Sequence, residues 1–145
     1  MNTNLERAKE IFATDEYTCV LVKDDVCYHS FERGVKPLLN WVKEKKNFTG
    51  FSAVDKVVGK AAAFLYALLK IECVYAKTIS KPALEVLKEH KINVEYDVLT
   101  DAIINRAGTG FCPMETAVRD IFDKEKALEA ICKKTEELQK QRENK

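Results

Sequence analysis

Two lysines and an aspartate that lie close together in the sequence are the strongest candidates for a site that uses charged side chains. Asp55, Lys56 and Lys60 lie early in residues 52–69, SAVDKVVGKAAAFLYALL, a stretch that is apolar on nearly every side. This composition predicts one buried helix that begins at Ser52. Two ammonium groups four residues apart near a helix N-terminus are disfavoured by about 0.3–1 kcal/mol each. An anionic ligand would offset this cost, as would pairing with Asp55 or contact with solvent.

Asp55 itself has a structural and a catalytic interpretation. Together with Ser52 three positions earlier, it resembles a capping box in which Asp replaces Glu. That structural role is the default. As a catalytic carboxylate, Asp55 would need a second acid or base, and His29 at the end of a predicted hairpin is the only histidine placed to help.

A cysteine near the other end of the chain is a candidate nucleophile. Cys112 precedes Pro113 and Glu115, which suit the first and third positions of a helix. The field at such a helix start favours a thiolate, although a capping or buried cysteine is the commoner arrangement. The glycine-containing loop just before it carries Arg106 and Thr109 and could cradle an anion. No GK[ST] follows, so this is not a phosphate-binding loop.

The elements that would position these residues alternate between helix and strand patterns. The predicted order is helix 4–13, a hairpin of strands 17–23 and 26–31, helix 35–42, central helix 52–69, strand 71–79, helix 80–88, strand 92–99, a helix from 113 and helix 123–142. A strand–helix–strand unit after a hairpin predicts an α/β fold, with a mixed sheet of four to five strands and helices on both faces. Ligands in such sheets usually bind outside the carboxyl ends of the parallel strands.

Composition limits the class of protein. A net charge of +1 gives no reason to expect a nucleic acid or a membrane surface as partner. The polar N-terminus lacks the core of a signal peptide, and the longest apolar run, 61–69, is too short to span a bilayer. Five scattered cysteines without a CxxC pair predict reduced thiols and a cytoplasmic location. With two histidines, no zinc site of ordinary spacing is visible.

Four phrases of the sequence resemble the uncharacterised family called domain of unknown function 1893. They are RGVKPLL at 33–39, DKVVGKAAAFLYALL at 55–69, VYAKTISKPALEVL at 74–87 and INRAGTGFCPMET at 104–116. The resemblance covers roughly residues 18–118. That family is placed in the cytidine-deaminase-like fold, so the resemblance implies a three-layer α/β fold.

The chain departs from the deaminases at the residues that hold their zinc. The deaminase motifs are H-x-E at one helix start and P-C-x-x-C at the next. In this chain DKV at 55–57 lies near the position of H-x-E. PALEV at 82–86 lies at the position of P-C-x-x-C, with Ala83 and Val86 instead of the two cysteines. Without zinc, water lacks its activating Lewis acid. The resemblance therefore implies no metal and no zinc-dependent deamination.

The resemblance also implies where a pocket would lie. It would be between the starts of the central helix and of the helix at Ser80, a positive cleft that suits a phosphate, a carboxylate or a nucleotide. The segment from Arg106 to Glu115 would close over it. The residues expected to bind a ligand are Asp55, Lys56, Lys60, Ser80, Lys81, Arg106, Thr109 and Glu115.

Three functional hypotheses are consistent with these residues. In the first, residues 1–122 form a metal-free deaminase-like domain that binds a small anionic or nucleotide-like ligand, with no cofactor. In the second, the protein is a metal-independent enzyme with Cys112 as nucleophile and Asp55, Lys60 or His29 as acid or base. In the third, a sheet edge or the helical extension 123–145 mediates assembly, for example as a homodimer.

Overall fold

The chain folds around a mixed β-sheet with helices on both faces, as seen in a computed structural model that describes residues 3–32, 34–103 and 112–143. The strands are β1 (Cys19–Lys23), β2 (Val26–Ser30), β3 (Ser52–Val58), β4 (Cys73–Ser80) and β5 (Asn93–Thr100). The helices are α1 (Thr3–Phe12), α2 (Lys36–Lys43), α3 (Lys60–Leu69), α4 (Lys81–Glu89), α5 (Pro113–Val118) and α6 (Lys124–Glu143). The predicted α/β class with a mixed sheet is confirmed.

The order of the strands across the sheet is β2-β1-β3-β4-β5. β1 is antiparallel to both of its neighbours, whereas β3, β4 and β5 run parallel to one another. β3 leads through a single residue into α3, and β4 leads directly into α4. The N-termini of α3 and α4 therefore lie at the same edge of the sheet, at the carboxyl ends of the parallel strands.

The prediction of one helix over residues 52–69 is wrong in its first half. Ser52–Val58 is strand β3, and the helix begins only at Lys60, after Gly59 in an extended conformation (φ −96°, ψ 178°). β3 pairs with β1 on one side and β4 on the other. A central strand is apolar on both faces, so its sequence lacks the alternation that separates a strand from a helix.

Two predictions that depended on this helix are also wrong. Ser52 and Asp55 do not form a capping box, because both are strand residues. Lys56 and Lys60 do not share a helix face, because Lys56 lies within β3 and Lys60 opens α3. The valines of β3 belong to the β-branched residues that favour strands, and Gly59 ends the strand.

The main core surrounds α3 on one face of the sheet. α3 contacts α2, α4, α5 and α6 as well as β3, and its Phe64 and Tyr66 are completely buried. Ala127 and Ile131 of α6 are buried in the same core. A helix that is apolar all round is one buried on all sides, so α3 agrees with the burial predicted from its composition.

The opposite face of the sheet is covered by α1. Leu5 and Ala8 pack there against Val20, Val22 and Val54. None of the helices within the described residues has both the length and the apolar character needed to cross a membrane. The division between residues 1–122 and 123–145 stays a prediction.

Candidate functional site

The N-terminus of α3 is closed by a carboxylate from α5. Glu115 Oε1 accepts a hydrogen bond from the N–H of Lys60 at 2.8 Å, and Oε2 accepts one from the N–H of Ala61 at 3.0 Å. A helix start leaves four N–H groups without partners inside the helix, and a negative charge there interacts favourably with the helix dipole. Glu115 thus caps α3 from 55 positions further along the chain.

The absence of a side chain at Gly59 makes room for this carboxylate. A Cβ atom at position 59 would lie 2.5–2.7 Å from the carboxylate atoms of Glu115. The backbone of Gly59 is extended and suits any residue, so the close contact with the Glu115 carboxylate is what favours glycine here, since a larger residue would displace that carboxylate. We call the backbone of residues 59–61 the α3 cradle, since its shape fits a carboxylate.

Lys60 adds a buried positive charge beside the α3 cradle. The residue is 7% exposed, and its Nζ donates a hydrogen bond to the carbonyl oxygen of Arg119 at 2.9 Å. Nζ also lies 4.5 Å from the ring centroid of Phe122 and 5.8 Å from that of Phe64. Burial lowers the pKa of Lys60, while Glu115 and other nearby carboxylates act in the opposite direction.

Asp55 forms a separate buried cluster with acids from β1 and α3. Tyr66 Oη donates to Asp55 Oδ2 at 2.6 Å, and the N–H of Val57 donates to Oδ1 at 3.3 Å. Burial raises the pKa of Asp55 to about 7, although these hydrogen bonds act to lower it. Cys19 lies opposite Asp55 in the antiparallel register, and burial, followed by the Asp55 charge, raises the pKa of its thiol. No ion pair reaches Asp55 from the lysines and arginines that the structure describes.

The other predicted ligand residues are dispersed. Lys56 follows Asp55 in β3, so it points to the opposite face of the sheet, where it is exposed. Ser80 is buried and caps α4, since its Oγ accepts a hydrogen bond from the N–H of Ala83 at 3.2 Å. Lys81 is paired with Asp101 at 2.8 Å on the surface. The structure therefore brings together only Lys60 and Glu115 of the residues placed so far.

Cys112 is half-buried at the start of α5 but lacks the partners proposed for it. Its N–H donates to the carbonyl oxygen of Ile103 at 3.0 Å, and its side chain does not cap the helix. His29 pairs with Val20, so it lies on the α1 face, opposite to the Asp55 side chain. Among the described residues, no hydrogen bond connects Cys112 with an acid or base of the second hypothesis.

Arg106 and Thr109, which the sequence predicted to help hold an anion, lie outside the described residues. Their part in the site stays a prediction.

The positions of the expected zinc cysteines are part of the apolar core. Ala83 and Val86 lie on α4 and are 0% and 5% exposed, in contact with the main core. Because α3 starts at Lys60, the helix start carries GKA at 59–61 rather than DKV at 55–57. Within residues 3–32, 34–103 and 112–143, no group of three or more His, Cys, Asp or Glu side chains could hold a metal ion.

Three residues of the site were missed by sequence reasoning. Gly59 was hidden inside the stretch read as one helix, although a glycine between an apolar strand and an apolar helix is a sequence signal for a break. No sequence pattern indicated a role for Tyr66, because its partner Asp55 was predicted to lie on the same helix. Phe122, whose ring lies beside the Lys60 ammonium, is 77% exposed and follows a short helix without any distinguishing pattern.

Two surface depressions lie away from these residues. One, of about 290 Å³, lies against α1 and includes Lys9 and Tyr75. The other, of about 280 Å³, lies between α2 and the end of α3. Neither is lined by Asp55, Lys60 or Glu115. The α3 cradle is therefore a filled site, in which Glu115 already occupies the place of an anion.

Fold and site together define an α/β protein of mixed sheet, with a carboxylate-capped helix at the carboxyl ends of its parallel strands. The family model described as Domain of unknown function (DUF1893) matches residues 7–135, so the chain belongs to the DUF1893 family. It is similar to the crystal structure of a DUF1893 family protein from Thermotoga maritima, with 30% sequence identity, a TM-score of 0.85 and 92% of each chain covered. No curated protein matches the chain.

Proposed function

We propose that this protein is a metal-free, deaminase-like domain that binds a small ligand carrying an oxyanion, such as a nucleotide-like molecule, at the start of α3. One observation carries the proposal. The α3 cradle holds a carboxylate by two backbone N–H groups, at 2.8 and 3.0 Å, beside a buried ammonium group. Helix N-termini of this kind bind phosphate and carboxylate groups in proteins generally.

Glu115 acts in this proposal as a tethered competitor for the ligand. α5 has six residues, and Val118 is its only fully buried side chain. So short a helix depends on its contacts rather than on its own stability. A ligand oxyanion takes the two N–H groups when α5 moves aside. A tethered group acts at an effective concentration in the millimolar range, so the ligand binds the wild-type protein more weakly than a variant without the Glu115 carboxylate.

Lys60 and Phe122 favour a nucleotide-like ligand over a bare anion. The Lys60 ammonium lies beside the α3 cradle and supplies the positive charge that a phosphate needs. The largely exposed ring of Phe122 lies 4.5 Å from that ammonium group. Stacking of a base on an aromatic ring is worth about 1–3 kcal/mol, which would add to the attraction of the phosphate.

A deaminase-like fold accounts for the position of this site. In zinc deaminases the metal is held at two helix starts by H-x-E and P-C-x-x-C. The two corresponding helix starts proposed here are those of α3 and α4, where the chain has Lys60 and Ala83. The proposed ligand site therefore lies at the deaminase position, with chemistry that does not use zinc as Lewis acid.

The test compares wild-type protein with Glu115→Ala. Acetate, inorganic phosphate and a nucleoside monophosphate are titrated while the thermal midpoint and the heat of binding are recorded. We expect all three anions to stabilise Glu115→Ala more than the wild type, and the nucleoside monophosphate to bind most tightly. Glu129→Ala is the matched control, because Glu129 is an exposed carboxylate on α6.

Two further variants locate the ligand. Lys60→Met should weaken the binding of all three anions, whereas Phe122→Ala should weaken the binding of the nucleoside monophosphate only. The proposal is refuted if no anion stabilises Glu115→Ala beyond the Glu129→Ala control.

Self-association is a second candidate function, favoured by the exposure of β5. This edge strand has Tyr96 41% and Val98 53% exposed, and an open edge strand is a template for pairing with another chain. A second copy of the protein is the proposed partner. Sedimentation of the full chain over a range of concentrations tests this, with Val98→Lys as the disrupting variant; a monomer at all concentrations would exclude it.

A further inference from the structure

A lysine-rich depression lies at the end of the domain opposite to the α3 cradle. It has a volume of about 280 Å³ and is bordered by Val42, Lys45, Lys46, Asn47, Leu68 and Lys70. The three lysines and Asn47 are exposed, and the two apolar residues are half-buried. Lys70 follows the last residue of α3, so the depression is about 15 Å from the helix start at Lys60, given 1.5 Å per residue. This feature is independent of the proposed function.

The polar groups around this depression are donors. Neither Lys45, Lys46 nor Lys70 forms an ion pair with any carboxylate that the structure describes. The Oδ1 atom of Asn47 accepts hydrogen bonds from the N–H of Thr49 at 2.9 Å and from its hydroxyl at 2.6 Å. This leaves the NH₂ group of Asn47 as its remaining hydrogen-bonding group. Three lysines and one amide donor therefore border a single volume, and the Nζ of Lys46 lies 5.6 Å from the ring centroid of Tyr28.

Two of the lysines have a backbone conformation that other residues adopt more readily. Lys45 and Lys70 are left-handed, with φ of 59° and 62°, and they lie two residues after the end of α2 and one residue after the end of α3. Glycine and asparagine are the usual residues at this cap position. Lysine is thus not the residue that the local backbone favours at either place, and Lys91 after α4, which does not border the depression, is a third lysine of this conformation (φ 60°).

The negative ends of the helix dipoles offset only part of the positive charge of these lysines. A helix C-terminus is equivalent to about −0.5 elementary charge, so the ends of α2 and α3 together supply about −1. The three ammonium groups supply three positive charges. The excess of about two positive charges remains for a ligand, and it matches the charge of one phosphate group, near −2.

We infer that this depression is a second ligand site, which binds an anion carrying one or more phosphate groups. Its recognition is by charge and by the amide of Asn47, because lysine ammonium groups bind phosphate as point charges. The phosphate groups could belong to a free polyphosphate or to the backbone of a nucleic acid, and the experiment distinguishes these sources.

The experiment titrates inorganic tripolyphosphate, and separately a 20-base-pair DNA duplex, into the full chain. Binding is measured by calorimetry and by shifts of the backbone amide signals. The test variant is the double substitution Lys45→Asn/Lys70→Asn, since asparagine tolerates the left-handed conformation and should leave the thermal midpoint unchanged. Lys91→Asn is the matched control, because Lys91 has the same left-handed cap position after α4 (φ 60°) but does not border the depression.

We expect tripolyphosphate to shift the amide signals of Lys45, Asn47 and Lys70. The double variant should weaken its binding by about tenfold, the effect of losing two exposed ion pairs, and Lys91→Asn should change it by less than about twofold. Tighter binding of the duplex with the same variant response would identify a nucleic-acid backbone as the source. The inference is overturned if neither anion binds, or if Lys91→Asn weakens binding as much as the double variant.

Discussion

Asp55 should make the stability of this protein depend on pH in a direction unusual for a carboxylate. Burial raises its pKa from 3.8 to about 7, so the folded state holds a proton that the unfolded chain releases at lower pH. The stabilisation is fully present below about pH 4 and is lost as the pH rises through about 7. Each pH unit between these values is worth about 1.4 kcal/mol, so the total loss is at most about 4 kcal/mol.

The substitution that isolates this effect is Asp55→Asn. Asparagine keeps the size of the side chain and its carbonyl oxygen can still accept the hydrogen bond from Tyr66, but it does not titrate. Its amide has no second acceptor for the N–H of Val57, which bonds to Oδ1 in the wild type. The variant should therefore be less stable than the wild type at pH 5, and the difference should shrink or reverse by pH 8.

Other acids do not obscure this comparison. Cys19 and Tyr66 face Asp55 from β1 and α3, and burial raises the pKa of both groups above their ordinary values. Both therefore stay protonated throughout the range from pH 5 to pH 8. Ala76, the neighbour of Asp55 on β4, does not titrate.

Urea unfolding at intervals between pH 4.5 and pH 8 measures this effect, with the free energy of unfolding compared between the two proteins at each pH. The carboxyl ¹³C shift of Asp55 reports its titration directly. A constant difference between wild type and Asp55→Asn from pH 5 to pH 8 would refute the reasoning, as would an Asp55 carboxyl that is fully ionised at pH 5.

Three further predictions concern other parts of the chain. Gly59→Ala should displace Glu115 and lower the free energy of unfolding by about 2 kcal/mol; little additional loss is expected in the double variant with Glu115→Ala. Cys112 should react with a thiol probe at neutral pH no faster than Cys132, which is also half-buried; a much faster reaction would favour the enzyme hypothesis. Truncation after Asp123 removes two buried side chains of α6 and should destabilise the domain by about 3 kcal/mol or more, measured by thermal unfolding.

The predictions from sequence succeeded where the signal is local. α4 begins next to Ser80, where the sequence predicted a helix start, and the Ser80 hydroxyl caps it as such a residue does. The hairpin of β1 and β2 was also visible, since its two strands are short and adjacent. In these cases the residues that decide the structure lie within a few positions of one another.

The central stretch was misread because its environment is not local. As a helix, residues 55 and 66 would be separated by about 16 Å, at 1.5 Å per residue. In the structure the side chains of Asp55 and Tyr66 are joined by a hydrogen bond of 2.6 Å, because β3 ends at Val58 and α3 folds back over it. No residue within Ser52–Val58 indicates by itself that this segment will lie between β1 and β4.

The site was predicted in its residues but not in its arrangement. Lys60 and Glu115 were both expected to bind a ligand, yet the contact between them spans 55 positions. No spacing rule extends so far along a chain. The sequence indicated that these charged groups need partners. In the fold, the Glu115 carboxylate is the partner of the N–H groups at the start of α3.

The distance in sequence between Glu115 and the start of α3 has a consequence for how the chain folds. β3, α3 and β4 can come together as soon as these segments meet, because their contacts are close in sequence. The cap must wait until α5 has docked, since contacts across long loops are formed late. During synthesis, α3 therefore starts with open N–H groups until residue 115 has left the ribosome. Loss of the Glu115 carboxylate should accordingly accelerate unfolding while leaving the folding rate almost unchanged.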